Sequence, residues 1–300
     1  MFLRVTHAVS RRQEFVADEL AARTIGAKPL ADGLRLIHKV APAFDYYWRS
    51  ECAPVLHAGF LPPLTDGFSQ FVTAGSIVEK MDKDLEEQLA GGKANPYDTH
   101  PPLKDRIAAV AGLPPGPDLA EDLPAVSLLQ DVPALECDLI LQVAGAEQVA
   151  KLKSIAWEEV GTKVYLPQWE KLVQLNNARL QGVTPEFLAK LAGNLKTFGK
   201  SLLNLSKETP DDWNAENVGG AVLGAALNLL LLQRGGQLDV APGHEITVTL
   251  NEHPVQPFVL LAALKNGEIT AEAWTRQCGE LGIEGVDLGA VAPAAVQDPA

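Results

Sequence analysis

Apolar positions recur at helical spacing along most of the 300-residue chain. From Phe2 to Arg23, Val5, Val9, Val16 and Leu20 share one face of a helix, and that face is expected to pack. Gly26 suits a helix stop. Pro29 suits the start of a second helix running to about Val40. Residues 44–60 read as helical again, disturbed at Pro54. After the break Leu61-Pro62-Pro63-Leu64-Thr65, the pattern predicts one long helix from Asp66 to Leu89. Gly91, Gly92 and Asn95-Pro96 end it. A short helix follows from Pro101/Pro102 to Ala111, with proline tolerated in its first turn.

The rest of the chain predicts helices at about 127–142, 146–160, 167–180, 185–205, 214–233, 254–264 and 271–281. Alternation at Leu238–Val240 and Glu245–Leu250, with Pro242-Gly243 between them, predicts a small β-hairpin. The fold class is therefore mainly α. No repeat of fixed period is present.

Glycine, proline and charge suggest a division. Gly112-Leu113-Pro114-Pro115-Gly116-Pro117 and the acidic stretch Asp118 to Asp122 read as a linker over 113–124. Residues 1–112 hold 13 Lys/Arg against 14 Asp/Glu, whereas 113–300 hold 12 against 24. An acidic α-rich domain is thus expected over 125–290, with a frayed tail at 291–300. An acidic half repels phosphate backbones, which argues against nucleic-acid binding and leaves a protein partner for that half open.

Cys52, Cys137 and Cys278 are scattered and odd in number, which argues for a reducing, cytoplasmic setting and against a disulfide framework. The most apolar stretch, Val218–Leu232, is short of the ~20 residues that span a bilayer and reads as a buried core helix. No membrane segment and no secretory leader is expected.

Two strings carry candidate chemistry. In Ser10-Arg11-Arg12-Gln13-Glu14-Phe15-Val16-Ala17-Asp18, Glu14 and Asp18 lie four apart on one helical face, opposite the Val5/Val9/Val16/Leu20 stripe. His7 and Arg11 fall close to that polar face. On spacing alone this is the solvated side of an amphipathic helix. In Thr99-His100-Pro101-Pro102-Leu103-Lys104-Asp105-Arg106-Ile107, Thr99 or His100 suits a helix cap and Asp105 suits the helix dipole. Alone, that string is a helix start. Tyr46, Tyr47, Trp48 and His57 fit either a substrate groove or core packing, and Leu61–Leu64 either a groove rim or a simple break. Trp157, Trp169, Trp213 and Trp274 read as core anchors.

Taken together, the two strings resemble the Ser-Arg-x-x-Glu-(Phe/Tyr)-x-Ala-Asp and (Ser/Thr)-His-Pro-Pro-x-x-x-Arg-(Ile/Leu) signatures of the HtpX-like zinc metallopeptidases, which include the type I CAAX prenyl endopeptidases. The resemblance covers residues 1 to about 112 and implies a zincin-like helical region. It implies Glu14 as a zinc ligand and Asp18 beside it, accepting a hydrogen bond from a zinc-bound imidazole. It implies His100 and Arg106 as catalytic residues at the oxyanion of a peptide or protein substrate. Family members are membrane-associated.

The family's HExxH motif, which supplies two histidine ligands and the general base, is not in this sequence. His244-Glu245 begins such a string, but Val248 stands where the second histidine belongs. Zinc binding is therefore expected to be weak or absent, and the zincin-like region incomplete. Met1 lies thirteen residues before Glu14. The expectation is either the carboxy-terminal portion of a longer peptidase, inactive by itself, or a non-catalytic helical interaction protein derived from one.

Overall fold

The computed structural model describes residues 2–91, 100–116, 123–203 and 212–291. Gly92, Asn95-Pro96, Thr99, the stretch Asp118–Asp122 and the tail beyond Val291 lie outside them. The side chains of His7, Val5 and Trp213 are likewise not described. By internal contacts the chain divides into two compact units, one of residues 1–56 with 63–152, the other of residues 57–62 with 153–300. The chain is mainly α, and its sheets are small.

The first unit opens with a helical pair, α1 (Phe2–Ile25) and α2 (Ala27–Tyr47), turned at Gly26. That glycine has φ 106°, a conformation that costs other residues dearly. A side chain there would also meet Gly116 Cα at 2.3 Å. The close approach lets the Ala27 N–H donate to the Pro114 carbonyl (2.9 Å). Residues 114–116 thus seal the turn. The helix predicted to end near Val40 runs on through Pro42 to Tyr47 and continues as a π-type turn, Trp48–Cys52, into α3 (Ala53–His57).

The single helix predicted from Asp66 to Leu89 is two: α4 (Leu64–Phe71) and α5 (Gly75–Ala90). The break falls at Val72–Ala74, and the buried positions Gly67, Phe71, Ala74, Ile77 and Met81 keep helical spacing across it. Tyr47 is fully buried and its hydroxyl donates to the Leu64 carbonyl (2.8 Å). Its ring packs against Phe68 and Phe71 at 5.4 and 5.5 Å. Of the two readings of the aromatic group, core packing therefore holds for Tyr47.

The unit is completed by α6 (Leu103–Val110), α7 (Val132–Ala144) and α8 (Ala146–Val149). Asp131 caps α7, accepting from the Ala134 N–H at 3.2 Å.

In the second unit, β1 (Phe60–Leu61) pairs in parallel with β2 (Lys153–Ser154). Helices α9 (Trp157–Val160), α10 (Leu166–Leu180), α11 (Leu188–Ala192), α12 (Leu195–Leu203), α13 (Asp212–Gln233), α14 (Pro257–Asn266) and α15 (Ala271–Leu281) follow. The apolar stretch read as a core helix is the middle of α13. Val222, Leu223, Leu227 and Leu231 are fully buried, and the cluster around them includes Trp169 and Trp274.

A helix apolar on all sides needs neighbours on all sides. Helix α12 comes close because Gly199 faces α13: a side chain there would meet the Ala215 carbonyl at 1.7 Å. The predicted hairpin forms as β3 (Gln237–Asp239) against β4 (Thr247–Leu250), and β5 (His253–Val255) adds a third antiparallel strand. Asn251 and Glu252, both at positive φ, make the two-residue turn between β4 and β5. Val248 and Leu250 alternate inward from β4.

Candidate functional site

Helix α1 packs the other way round from its apolar pattern. Asp18 and Ala22 are buried, while Val9, Val16 and Leu20 are exposed, Leu20 at 67%. Helix length and spacing were legible, but the face was not. The signal that could have found it is the small Ala22, one turn beyond Asp18. It lets a neighbouring helix approach the polar face closely.

That neighbour is α6. Ala22 and Val110 are buried together with Ala27, and Leu30 and Leu113 pack around them. This small apolar cluster holds α6 across the α1–α2 turn. Pro102 stands at the helix entry, and its carbonyl accepts from the Asp105 and Arg106 N–H groups at 3.0 and 3.1 Å. These bonds close the first turn of α6, and Arg106, within it, pairs with Asp18 of α1.

All four residues of the candidate set meet there. Arg106 grips Asp18 with two hydrogen bonds, Nε–H to Oδ2 and Nη2–H to Oδ1, each 2.8 Å. The planar guanidinium fork matches a carboxylate, and charge-assisted pairs of this kind are strong. Arg106 Nη1 lies 3.2 Å from Glu14 Oε2. The Arg106 side chain is only 17% exposed. The hydrogen bonds it donates to Asp18 raise the guanidinium pKa above its ordinary value. Burial opposes them, and the Asp18 and Glu14 charges add to the rise.

His100 Nδ1 pairs with Glu14 Oε1. An ionised carboxylate can only accept, so the imidazole carries its proton on Nδ1 when neutral. Its Nε2 is then an acceptor on a ring whose side chain is 71% exposed. Asp18 is placed otherwise than the resemblance implied: both its oxygens are taken by Arg106, and Arg106 is held between two carboxylates.

One polar atom in this cluster is unspent. Glu14 Oε2 is shut off from solvent and has no hydrogen bond, because Arg106 Nη1 approaches it off the bonding direction. A buried carboxylate oxygen without a hydrogen bond is costly, and here only the Arg106 charge, 3.2 Å away, offsets that cost. Glu14 therefore suits one position of a metal shell. The set as a whole does not make a zinc site. Zinc asks for about three protein ligands, and Glu14 offers one oxygen here while Asp18 is occupied. Among the described residues, no group of three or more His, Cys, Asp or Glu could hold a metal ion. His244 lies in the turn before β4, in the second unit.

Residues 2–113 match the family model of peptidase family M48. This stretch, which contains α1, α2, α6 and all four clustered residues, is a region like those of M48 zinc metallopeptidases. No curated protein and no solved structure matches the chain.

Proposed function

We propose that residues 2–113 form the part of a zinc metalloendopeptidase site that lies downstream of its HExxH helix. Glu14 is the third protein ligand of the metal, and the substrate is a peptide or protein. The observation that carries the proposal is the buried, unbonded Oε2 of Glu14, held between His100 and Arg106 within a stretch that matches an M48 model.

In this reading Arg106 fixes the site. Its fork on Asp18 locks α6 to α1, and its third nitrogen, 3.2 Å from Oε2, helps hold the Glu14 carboxylate in place. His100 stands at the solvent edge. With Nδ1 tied to Glu14, its exposed Nε2 is placed to meet a substrate carbonyl once protonated, when both ring nitrogens donate. Zinc, where present, would supply the Lewis acid and the activated water. The two further nitrogen ligands and the general base are not among this chain's residues, so by itself the chain binds zinc weakly and hydrolyses no peptide.

The test joins an HExxH-bearing helix ahead of residue 2 through a flexible linker and measures zinc by titration and metal analysis. Tight, stoichiometric zinc is expected for the fusion and not for the chain alone. Glu14→Gln should weaken the fusion's affinity by at least the roughly 10–100-fold that losing even an outer partner of a metal ligand costs. Equal zinc binding by the Glu14→Gln fusion would overturn the reading. So would tight zinc in the unfused chain, because the missing ligands would then be present after all.

A second reading has its own observation. Arg106 already neutralises Asp18 and faces Glu14 without any metal. The cluster can therefore serve as a structural clasp in a non-catalytic, helical interaction protein. Zinc titration of the fusion separates the two, since a clasp gains nothing from an added histidine pair.

A further inference from the structure

Helix α13 contains Gly219, Gly220 and Gly224, and two of these glycines answer to packing. A side chain at Gly219 would meet the Leu195 carbonyl at 2.7 Å, and one at Gly224 would meet the Phe258 ring at 2.4 Å. Gly220 has no such reason. A Cβ placed there finds nothing within 4 Å. Glycine weakens a helix interior relative to alanine, so at this position it costs helix stability and leaves only open room.

That room belongs to a cavity of about 420 Å³ bounded by α13, α14 and the start of α12, all within the second unit. The volume falls in the range of small-molecule sites. Gly220, Ala221 and Leu261 form its apolar part, with Leu195 and Phe258 as walls. Its polar part is exposed. There Glu216 of α13 pairs with Lys265 of α14, and the amides of Asn217 and Asn266 complete the lining. An apolar hollow thus opens beside one carboxylate and one ammonium.

The two charges define what fits. The Lys265 and Glu216 side chains are 42% and 37% exposed, and so wet an ion pair is worth little, so a ligand can part it. An amine alone would satisfy Glu216 and strip Lys265 of its partner, and a carboxylic acid alone would do the reverse. A zwitterion keeps both residues paired. Because the two side chains touch each other, the ligand's opposite charges must also lie close together, as they do on the single α-carbon of an amino acid. We propose that this cavity binds a free α-amino acid with an apolar side chain. Its ammonium meets Glu216, its carboxylate meets Lys265, and its side chain fills the room over Gly220, where Leu261 and Phe258 bury it. The site lies outside the M48-like stretch and does not depend on the peptidase reading.

The experiment titrates the full chain by calorimetry with leucine and phenylalanine. Two further probes keep the leucine side chain and one charge each: 3-methylbutylamine lacks the carboxylate, and 4-methylpentanoate lacks the ammonium. At least one of the two amino acids is expected to bind with a dissociation constant of about 1 mM or tighter. The amine and the acid are each expected to bind at least fivefold more weakly than leucine.

Gly220→Leu sends a side chain into the open room and suits the helix better than glycine does. It should lower amino-acid affinity tenfold or more while thermal unfolding stays unchanged or moves upward. Glu216→Gln removes the partner of the ligand's ammonium, so it should weaken leucine severalfold and erase the preference for leucine over 4-methylpentanoate. Absence of binding by both amino acids at 10-fold above that constant would overturn the proposal. So would wild-type affinity in Gly220→Leu. Equal binding of leucine and either singly charged probe to the unaltered chain would also overturn it, because the ion pair would then play no part in recognition.

Discussion

Arg106 is the residue on which the candidate site turns. It is mostly buried, it neutralises Asp18 through two bonds, and it lies 3.2 Å from an oxygen of Glu14. Asp18→Asn removes the charge that the guanidinium was built around while keeping the shape. It is expected to destabilise the first unit by about 2–3 kcal/mol, somewhat less than for a fully buried pair because the guanidinium keeps some exposure. Faster hydrogen exchange in α1 and α6 would report it. Arg106→Lys should show nearly the same loss, since a single ammonium cannot reproduce the fork. Wild-type exchange in either variant would mean that the clasp carries no energy. The two strings of sequence singled out Glu14, Asp18, His100 and Arg106, and these four side chains meet in the fold. That Arg106, rather than an imidazole, holds Asp18 was not legible there, because string order carries no information about which side chains meet.

At the scale of elements, spacing found most helices, but the one expected over 146–160 is two short helices parted by β2, and inward faces were read less well. Helix α1 shows why. Its apolar stripe is the obvious packing face, yet α2 and α6 take the side that carries Ala22 and Asp18. Small residues and a buried ion pair settle the matter there, and a hydrophobic count ignores both. The expected single helix over 66–89 is broken at Val72–Ala74, although Phe71, Ala74 and Ile77 keep helical spacing on the buried side across the break. Gly26 is the hinge of the α1–α2 pair. Gly26→Ala puts a side chain at φ 106° and into Gly116. The strain alone costs of order 1–3 kcal/mol, and the collision adds to it. A drop of several degrees in the first thermal transition is expected by calorimetry. An unchanged transition would show that residues 114–116 do not seal the turn.

For the molecule as a whole, each unit has its own source of stability. In the second unit the source is α13, buried along most of its described length and walled by α10, α12, α14 and β4. Leu227→Ala at its centre removes a fully buried side chain and should cost about 2–5 kcal/mol, depending on how far the cavity collapses. Urea unfolding followed by the fluorescence of Trp169 and Trp274 would read it. A shift below 1 kcal/mol would mean that the core is looser than its burial implies.

The mainly helical class, the small hairpin, the core role of the 218–232 stretch and the kinship of residues 2–113 were all present in the sequence. Periodicity, turn residues and short motifs are local properties, and a chain displays them before it folds. The inward turn of α1, the seal of Gly26 on Gly116 and the fork of Arg106 on Asp18 were decided only in three dimensions. Each depends on contact between segments far apart in the chain, where close approach and the pairing of charge outweigh local pattern.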